Sequence, residues 1–188
     1  METRHPQLAR FLRQYAFREG GQFKLASGKM SPYYVDGKWA TYHPQGIALV
    51  ADAILEEVRD LEFDAMGGME LGATAIAPPV VLRGRQTGRD FHGFTVRKAA
   101  KEHGTRKRIE GPLEKGDRVV VVEDVVTSGK SLLEAVDAIR EWGCTVVCAV
   151  SIVDREEGGA QLLAERGIDY RPLVTMTDLR AAGVVAGH

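Results

Sequence analysis

Two adjacent carboxylates, Glu123 and Asp124, follow four consecutive valines and precede Val125-Val126-Thr127-Ser128-Gly129-Lys130-Ser131. An unbroken β-branched run fits a central parallel strand covered on both faces. Open α/β sheets bind ligands beyond the carboxyl ends of their strands, so a pair of acids at that edge is placed to meet a substrate. The loop after them feeds an amphipathic stretch, LLEAVDAIREW. A small glycine-containing loop at a helix N-terminus offers free backbone N–H groups and the positive end of the dipole, which together hold a phosphate. Thr127, Ser128 and Ser131 add hydroxyl donors. Taken singly, these residues also fit structural roles, as strand-end turn caps and a helix cap. A nucleotide-triphosphate P-loop would need glycine at position 124 to complete G-x-x-x-x-G-K-[ST], and Asp124 would crowd and repel a triphosphate there.

A second charged segment, Phe94 to Arg108, carries Arg97, Lys98, Lys101, Arg106, Lys107 and Arg108 against the single acid Glu102. Most such runs are solvated faces. A nucleic-acid patch is disfavoured because aromatic interleaving is missing. A third candidate is Val153-Asp154-Arg155, followed by Glu156-Glu157-Gly158. Arg155 has the planar two-pronged head that suits a carboxylate ligand, although a surface arginine at a strand end would look the same.

The ordered set resembles a known family. VVVVEDVVTSGKS is similar to the phosphoribosyl pyrophosphate (PRPP) motif of the type I phosphoribosyltransferases, and Arg97-Lys98-x-x-Lys101-x-His103-Gly104 resembles the R-K-x-x-K-x-H-G signature of the orotate branch. The resemblance implies that Glu123 and Asp124 bond the ribose 2- and 3-hydroxyls and serve catalysis together with Lys101. It implies that the segment from Val125 and Val126 through Thr127, Ser128, Gly129, Lys130 and Ser131 wraps the 5-phosphate, and that Arg97, Lys98, Lys101 and His103 bind pyrophosphate. Arg155 and Thr127 would meet orotate, with Tyr34 of Ser31-Pro32-Tyr33-Tyr34 packing on the pyrimidine. The implied reaction moves a 5-phosphoribosyl group from PRPP to N1 of orotate, giving orotidine 5-phosphate and pyrophosphate in pyrimidine biosynthesis. Magnesium would arrive on the pyrophosphate rather than on direct protein ligands. Loop 97–109 would close as a lid across the partner subunit of a homodimer. The sequence departs from the template at Ala26 and Leu71, where the family carries lysines.

Elements must position these groups. Leu8, Phe11, Leu12 and Tyr15 predict a helix from His5 to Arg18, opened by Pro6 and ended by Gly20-Gly21. Gln22 to Lys38 reads as short strands and turns, and Ile47, Val50, Ala51, Ile54 and Val58 as one face of a helix starting at Pro44. The strand FDAM, a glycine turn at Gly67-Gly68, a helix from Gly72 interrupted at Pro78-Pro79, and an edge strand FHGFTV follow. Strand Arg118–Glu123, helix Ser131–Trp142, strand Thr145–Val153, helix Gly159–Arg166 and strand Tyr170–Val174 complete an α/β alternation. The expectation is a central, mostly parallel sheet flanked by helices, one domain over 1–188, with an N-terminal hood over 1–42 and the mobile loop 97–109.

The chain has 188 residues, 44% hydrophobic and 27% charged, with a net charge of −1, which is the composition of an ordinary globular protein and supplies no broad field for nucleic acid or membrane. Cys144 and Cys148, four apart on a strand, would share one face about 13 Å apart and read as buried thiols. No signal-like or membrane-spanning apolar run is evident, so a cytoplasmic location is expected. Alternatives are a purine or uracil acceptor, and a regulator that senses PRPP on nucleic acid.

Overall fold

The computed structural model describes residues 3–24, 30–99 and 108–183. In chain order the elements are α1 (Pro6–Tyr15), β1 (Phe17–Lys24), β2 (Met30–Val35), α2 (Lys38–Tyr42), α3 (Pro44–Glu57), β3 (Ala65–Met69) and α4 (Gly72–Gln86). There follow β4 (His92–Val96), β5 (Ile109–Glu110), β6 (Arg118–Val126), α5 (Lys130–Trp142), β7 (Thr145–Asp154), α6 (Gly159–Glu165), β8 (Tyr170–Thr175) and α7 (Met176–Ala181).

Six strands form the main sheet in the order β5-β4-β3-β6-β7-β8, and β1 with β2 forms a separate antiparallel pair. All pairings of the main sheet are parallel except the short β5 on β4. The chain leaves β3 toward one edge and returns to β6 on its other side, so a topological switch point lies between β3 and β6. The four valines of β6 divide between two core layers. Val120 and Val122 pack with α3 and α4, while Val119 and Val121 pack with α5 and α6. That two-sided burial is why the run carries no alternation.

Several boundaries differ from the sequence reading. The first helix stops at Tyr15, because Phe17 turns into β1, and Gly20-Gly21 lie inside that strand where its pairing with β2 shifts register between Glu19 and Phe23. Gly67-Gly68 is likewise inside β3, not a turn after it. A Cβ at Gly67 would collide with the carbonyl oxygen of Phe94, and one at Gly68 with that of Val122, so these positions serve close strand approach. Pro78 and Pro79 do not interrupt α4, which runs through them. Each proline forfeits an intrahelical bond at a cost of about 3 kcal/mol. Burial of Ile76 and Val80, roughly 1.5–3 kcal/mol apiece, together with Ala73 and Ala77 offsets much of that. The strand FHGFTV lies one position in from the edge, covered by β5. The short helices α2 and α7 were not anticipated.

The cysteines are both buried, but in opposite layers: Cys148 packs beside Val120 and Met66, and Cys144 beside Val119 and Ala138. The cause is a register shift in β7, where Val119 pairs with Val146 but Val120 pairs with Cys148. One extra residue inverts the facing of everything before it. No helix among the described residues is long and apolar enough to cross a membrane.

Candidate active site

β6 extends to Val126, so Glu123 and Asp124 lie inside the carboxyl half of the strand, beyond the last β3 pairing at Val121, with Glu123 paired to Ser151 of β7. Glu123 is 8% exposed. Its Oε1 accepts the Asp124 backbone N–H at 3.1 Å and its Oε2 accepts the Ser131 hydroxyl at 3.2 Å. Asp124 Oδ1 in turn accepts the Val125 N–H at 2.8 Å. Burial, then the charge of Asp124, then a hydrogen bond between the two carboxyls raise Glu123 to about 8. Glu123 therefore keeps its proton near neutral pH in the free protein.

Two glycines outside the sequence-derived site make room for this pair. A Cβ on Gly72 would collide with Glu123 Oε1 and stand 2.8 Å from Asp124 Oδ1, and one on Gly37 would stand 2.9 Å from the Asp124 Cβ. The signal that could have found Gly72 was its place in GGMELGA, one residue after the missing family lysine. That residue, Leu71, is 69% exposed and precedes the first turn of α4. The Glu70–Leu71 peptide is cis.

Thr127 to Gly129 form the loop between β6 and α5. Gly129 takes φ +76, a left-handed value that frees a glycine to reverse the chain. The Gly159 N–H donates to the Thr127 carbonyl at 3.1 Å and the Arg155 N–H to the Val126 carbonyl at 2.9 Å, locking the loop against the β7–α6 connection. No side chain caps α5. Ser131, expected as a phosphate donor, is spent on Glu123 instead, while the first-turn N–H groups remain available to a ligand. Glu123, Val125, Val126, Thr127, Ser128, Gly129, Lys130 and Ser131 together line a cavity of about 120 Å³ with Leu132.

The basic segment is described only at its roots. Arg97 is tied to Arg108 by a backbone bond of 2.7 Å, and its Nη1 lies 4.0 Å from Glu110. The Lys98 N–H donates to Glu70 at 3.0 Å, joining the start of this segment to the β3–α4 turn. Lys101 and His103 lie outside the described residues, as does Ala26.

Arg155 is 5% exposed at the end of β7. Its Nη2 stands 2.8 Å from Glu157 Oε1 and donates to the Ser31 hydroxyl at 3.3 Å. Its Cζ lies 4.9 Å from the centre of the Tyr33 ring. Tyr34, the aromatic singled out from sequence, does not reach this group. It stacks on Phe23 at 5.9 Å, because adjacent strand residues face opposite ways. Tyr33, Ser31 and Glu157 are the neighbours that sequence reasoning missed.

The geometry is an anion-binding loop beside two adjacent carboxyl groups, with a buried guanidinium and an aromatic ring across the β6–β7 edge. The "Phosphoribosyl transferase domain" family model matches residues 43–171. The orotate phosphoribosyltransferase of Aquifex aeolicus (strain VF5) is 41% identical over 92% of this chain and 95% of its own length. The crystal structure of the Mycobacterium tuberculosis H37Rv orotate phosphoribosyltransferase with Fe(III) dicitrate superimposes with TM-score 0.82 at 36% identity, covering 93% of this chain and 98% of that one. The same enzyme in complex with PRPP gives TM-score 0.78 at 33% identity, covering 94% and 98%. On these likenesses and on the site described above, the chain belongs to the phosphoribosyltransferase family, among the orotate phosphoribosyltransferases.

Proposed function

We propose that this protein transfers the 5-phosphoribosyl group of PRPP to N1 of orotate, releasing pyrophosphate. The observation that carries the reading is the Glu123–Asp124 pair set against the open N-terminus of α5, which supplies a ribose grip and a phosphate grip on one short segment.

In this reading the 5-phosphate sits among the N–H groups of Ser128 to Ser131, where dipole and donors favour an anion. The ribose 2- and 3-hydroxyls donate to Glu123 and Asp124. As the bond from C1 to pyrophosphate weakens, positive charge grows on the ring, and carboxylates beneath it stabilise that state more than the ground state. Glu123, which keeps its proton in the free protein, releases it to solvent as the positive ring settles over it, so that it acts as a carboxylate in the transition state. Arg155 and the Tyr33 face take the acceptor's carboxylate and ring, with Thr127 at its edge. Tyr34 keeps a place in this scheme only if β2 reorients on binding.

Arg97, Lys98, Lys101 and His103 take the pyrophosphate, and closure of loop 97–109 keeps water from an ion prone to hydrolysis. Magnesium would be carried on the pyrophosphate rather than by direct protein ligands, and the partly exposed carboxyl of Asp124 offers the kind of hard oxygen that bonds the ion's waters. When bound on the pyrophosphate, the ion neutralises the charge of the leaving group. A homodimer that shares the loop across subunits, and a cytoplasmic setting, complete the reading.

Release of pyrophosphate from PRPP and Mg²⁺ tests the proposal. Release should require orotate and give orotidine 5-phosphate in equal amount. Release at the same rate without orotate would contradict it.

A further inference from the structure

Arg155 is already paired with a carboxylate before any acceptor arrives, and that carboxylate belongs to Glu157 at 2.8 Å. The same Glu157 oxygen accepts the Tyr33 phenol at 3.1 Å. Arg155 and Arg180 of α7 stand 4.9 Å and 5.0 Å from the centre of the same Tyr33 ring, and of the two only Arg155 is paired with this acid among the described residues. Arg155 is almost wholly buried, and its Nε is buried without a hydrogen-bond partner.

Glu157 reaches this position because the backbone turns sharply before and after it. Glu156 takes φ +57 and Gly158 φ +93. The Glu156 carboxylate is held by the Thr177 N–H at 2.8 Å and hydroxyl at 2.8 Å, which fastens the turn to α7. The Glu157 side chain is 31% exposed, so it has a path into water without disturbing the sheet.

We propose that Glu157 is a specificity-determining residue of the acceptor pocket, its carboxylate holding the place on Arg155 and Tyr33 that a carboxylated acceptor takes. The inference rests on the orotate reading above. Exchange of one carboxylate for another keeps a counter-charge on the buried guanidinium before and after the acceptor binds. A neutral base can neither displace Glu157 nor replace it, because it would leave Arg155 buried and unpaired. Selectivity is gained at the expense of affinity, since the acceptor binds only by breaking an internal pair.

Glu157→Gln keeps the shape and removes the competing charge, and Glu157→Ala removes the group. In both, KM for orotate falls about five-fold, while KM for PRPP and kcat stay within about two-fold. Benzoate, used as a plain carboxylate probe competitive with orotate, inhibits both variants more strongly than the parent. An unchanged or raised KM for orotate in both variants overturns the proposal. Arg155→Ala run alongside separates two kinds of failure. If it raises KM for orotate while the Glu157 variants do nothing, only the role of Glu157 fails. If neither residue affects orotate, the assignment of Arg155 to the acceptor fails with it.

Discussion

Ser131 donates its hydroxyl to Glu123 across 3.2 Å, so the first turn of α5 is tied to the carboxyl pair at the end of β6. The candidate phosphate loop and the two acids proposed to hold the ribose are thus one mechanical unit, tied by residues eight positions apart in the chain. Ser131→Ala cuts that tie and leaves Glu123 with one fewer donor. A lost hydrogen bond to a carboxyl group of this kind is worth about 1–2 kcal/mol. kcat/KM for PRPP should fall about ten-fold, with a smaller change in KM for orotate, as steady-state kinetics with each substrate varied will report.

Glu123 gives the free protein a distinctive pH dependence. Its carboxyl is raised in the folded state to about 8, while in the unfolded chain it titrates near 4.5. Below 4.5 both states hold the proton and nothing is lost. Between there and about 8 the unfolded chain sheds the proton that the folded one keeps, so the stability tied to this group drains away as pH rises. Glu123→Gln removes the effect. Without ligands, the variant should melt above the parent by roughly 5 °C at pH 8 and by almost nothing at pH 4.5. Equal Tm differences at the two pH values would contradict the assignment.

Gly72 tests how tightly the switch point is built. Gly72→Ala drives a methyl into Glu123 Oε1 and to 2.8 Å from Asp124 Oδ1, so both carboxyl groups must swing away from the positions that would take the ribose hydroxyls. KM for PRPP should rise at least about ten-fold, with Tm falling only modestly because α4 gains helix propensity from alanine. Retained PRPP affinity would mean that the acids do not hold the ribose.

Thiol chemistry checks the register of β7. Burial pushes the Cys148 thiol up to about 12, and Cys144 is raised for the same leading reason. Ellman titration of the native protein at pH 8 should be slow for both. Denaturant should expose two thiols per chain at once, and prompt labelling of Cys148 without it would contradict its burial.

The parts of this structure that were legible in the sequence are those that local physics dictates. The valine run of β6, the glycine-led turn into α5 and the α5–β7–α6–β8 alternation all appeared within a few residues of their true limits, because burial on two faces and helix amphipathicity write themselves into composition. The glycines misled. Gly20-Gly21 and Gly67-Gly68 looked like punctuation but lie inside strands, the first pair where the pairing of β1 with β2 shifts register and the second where Phe94 and Val122 approach closely. Cys144 and Cys148 were placed on one face because a bulge leaves no mark in a short apolar run. For the site, the motif residues of the 123–131 segment were readable from order and spacing. Tyr33 and Glu157 were not, because their relation to Arg155 comes from β2 folding over the end of β7, a contact spanning 124 residues for Tyr33 and Glu157.

Lys101 lies outside the described residues, and its role rests on the family pattern. Lys101→Ala should lower kcat by about a hundred-fold or more with KM for orotate little changed, the signature of a contact made in the transition state. An unchanged kcat in that variant would remove it from the catalytic set.

The central claim concerns the acceptor. The most direct measurement incubates the protein with PRPP and Mg²⁺ and, separately, orotate, uracil, hypoxanthine or adenine, and follows nucleotide formation by chromatography. Orotate alone should support rapid turnover to orotidine 5-phosphate, with uracil slower by orders of magnitude and the purines inert. Turnover with a purine and none with orotate would contradict the account.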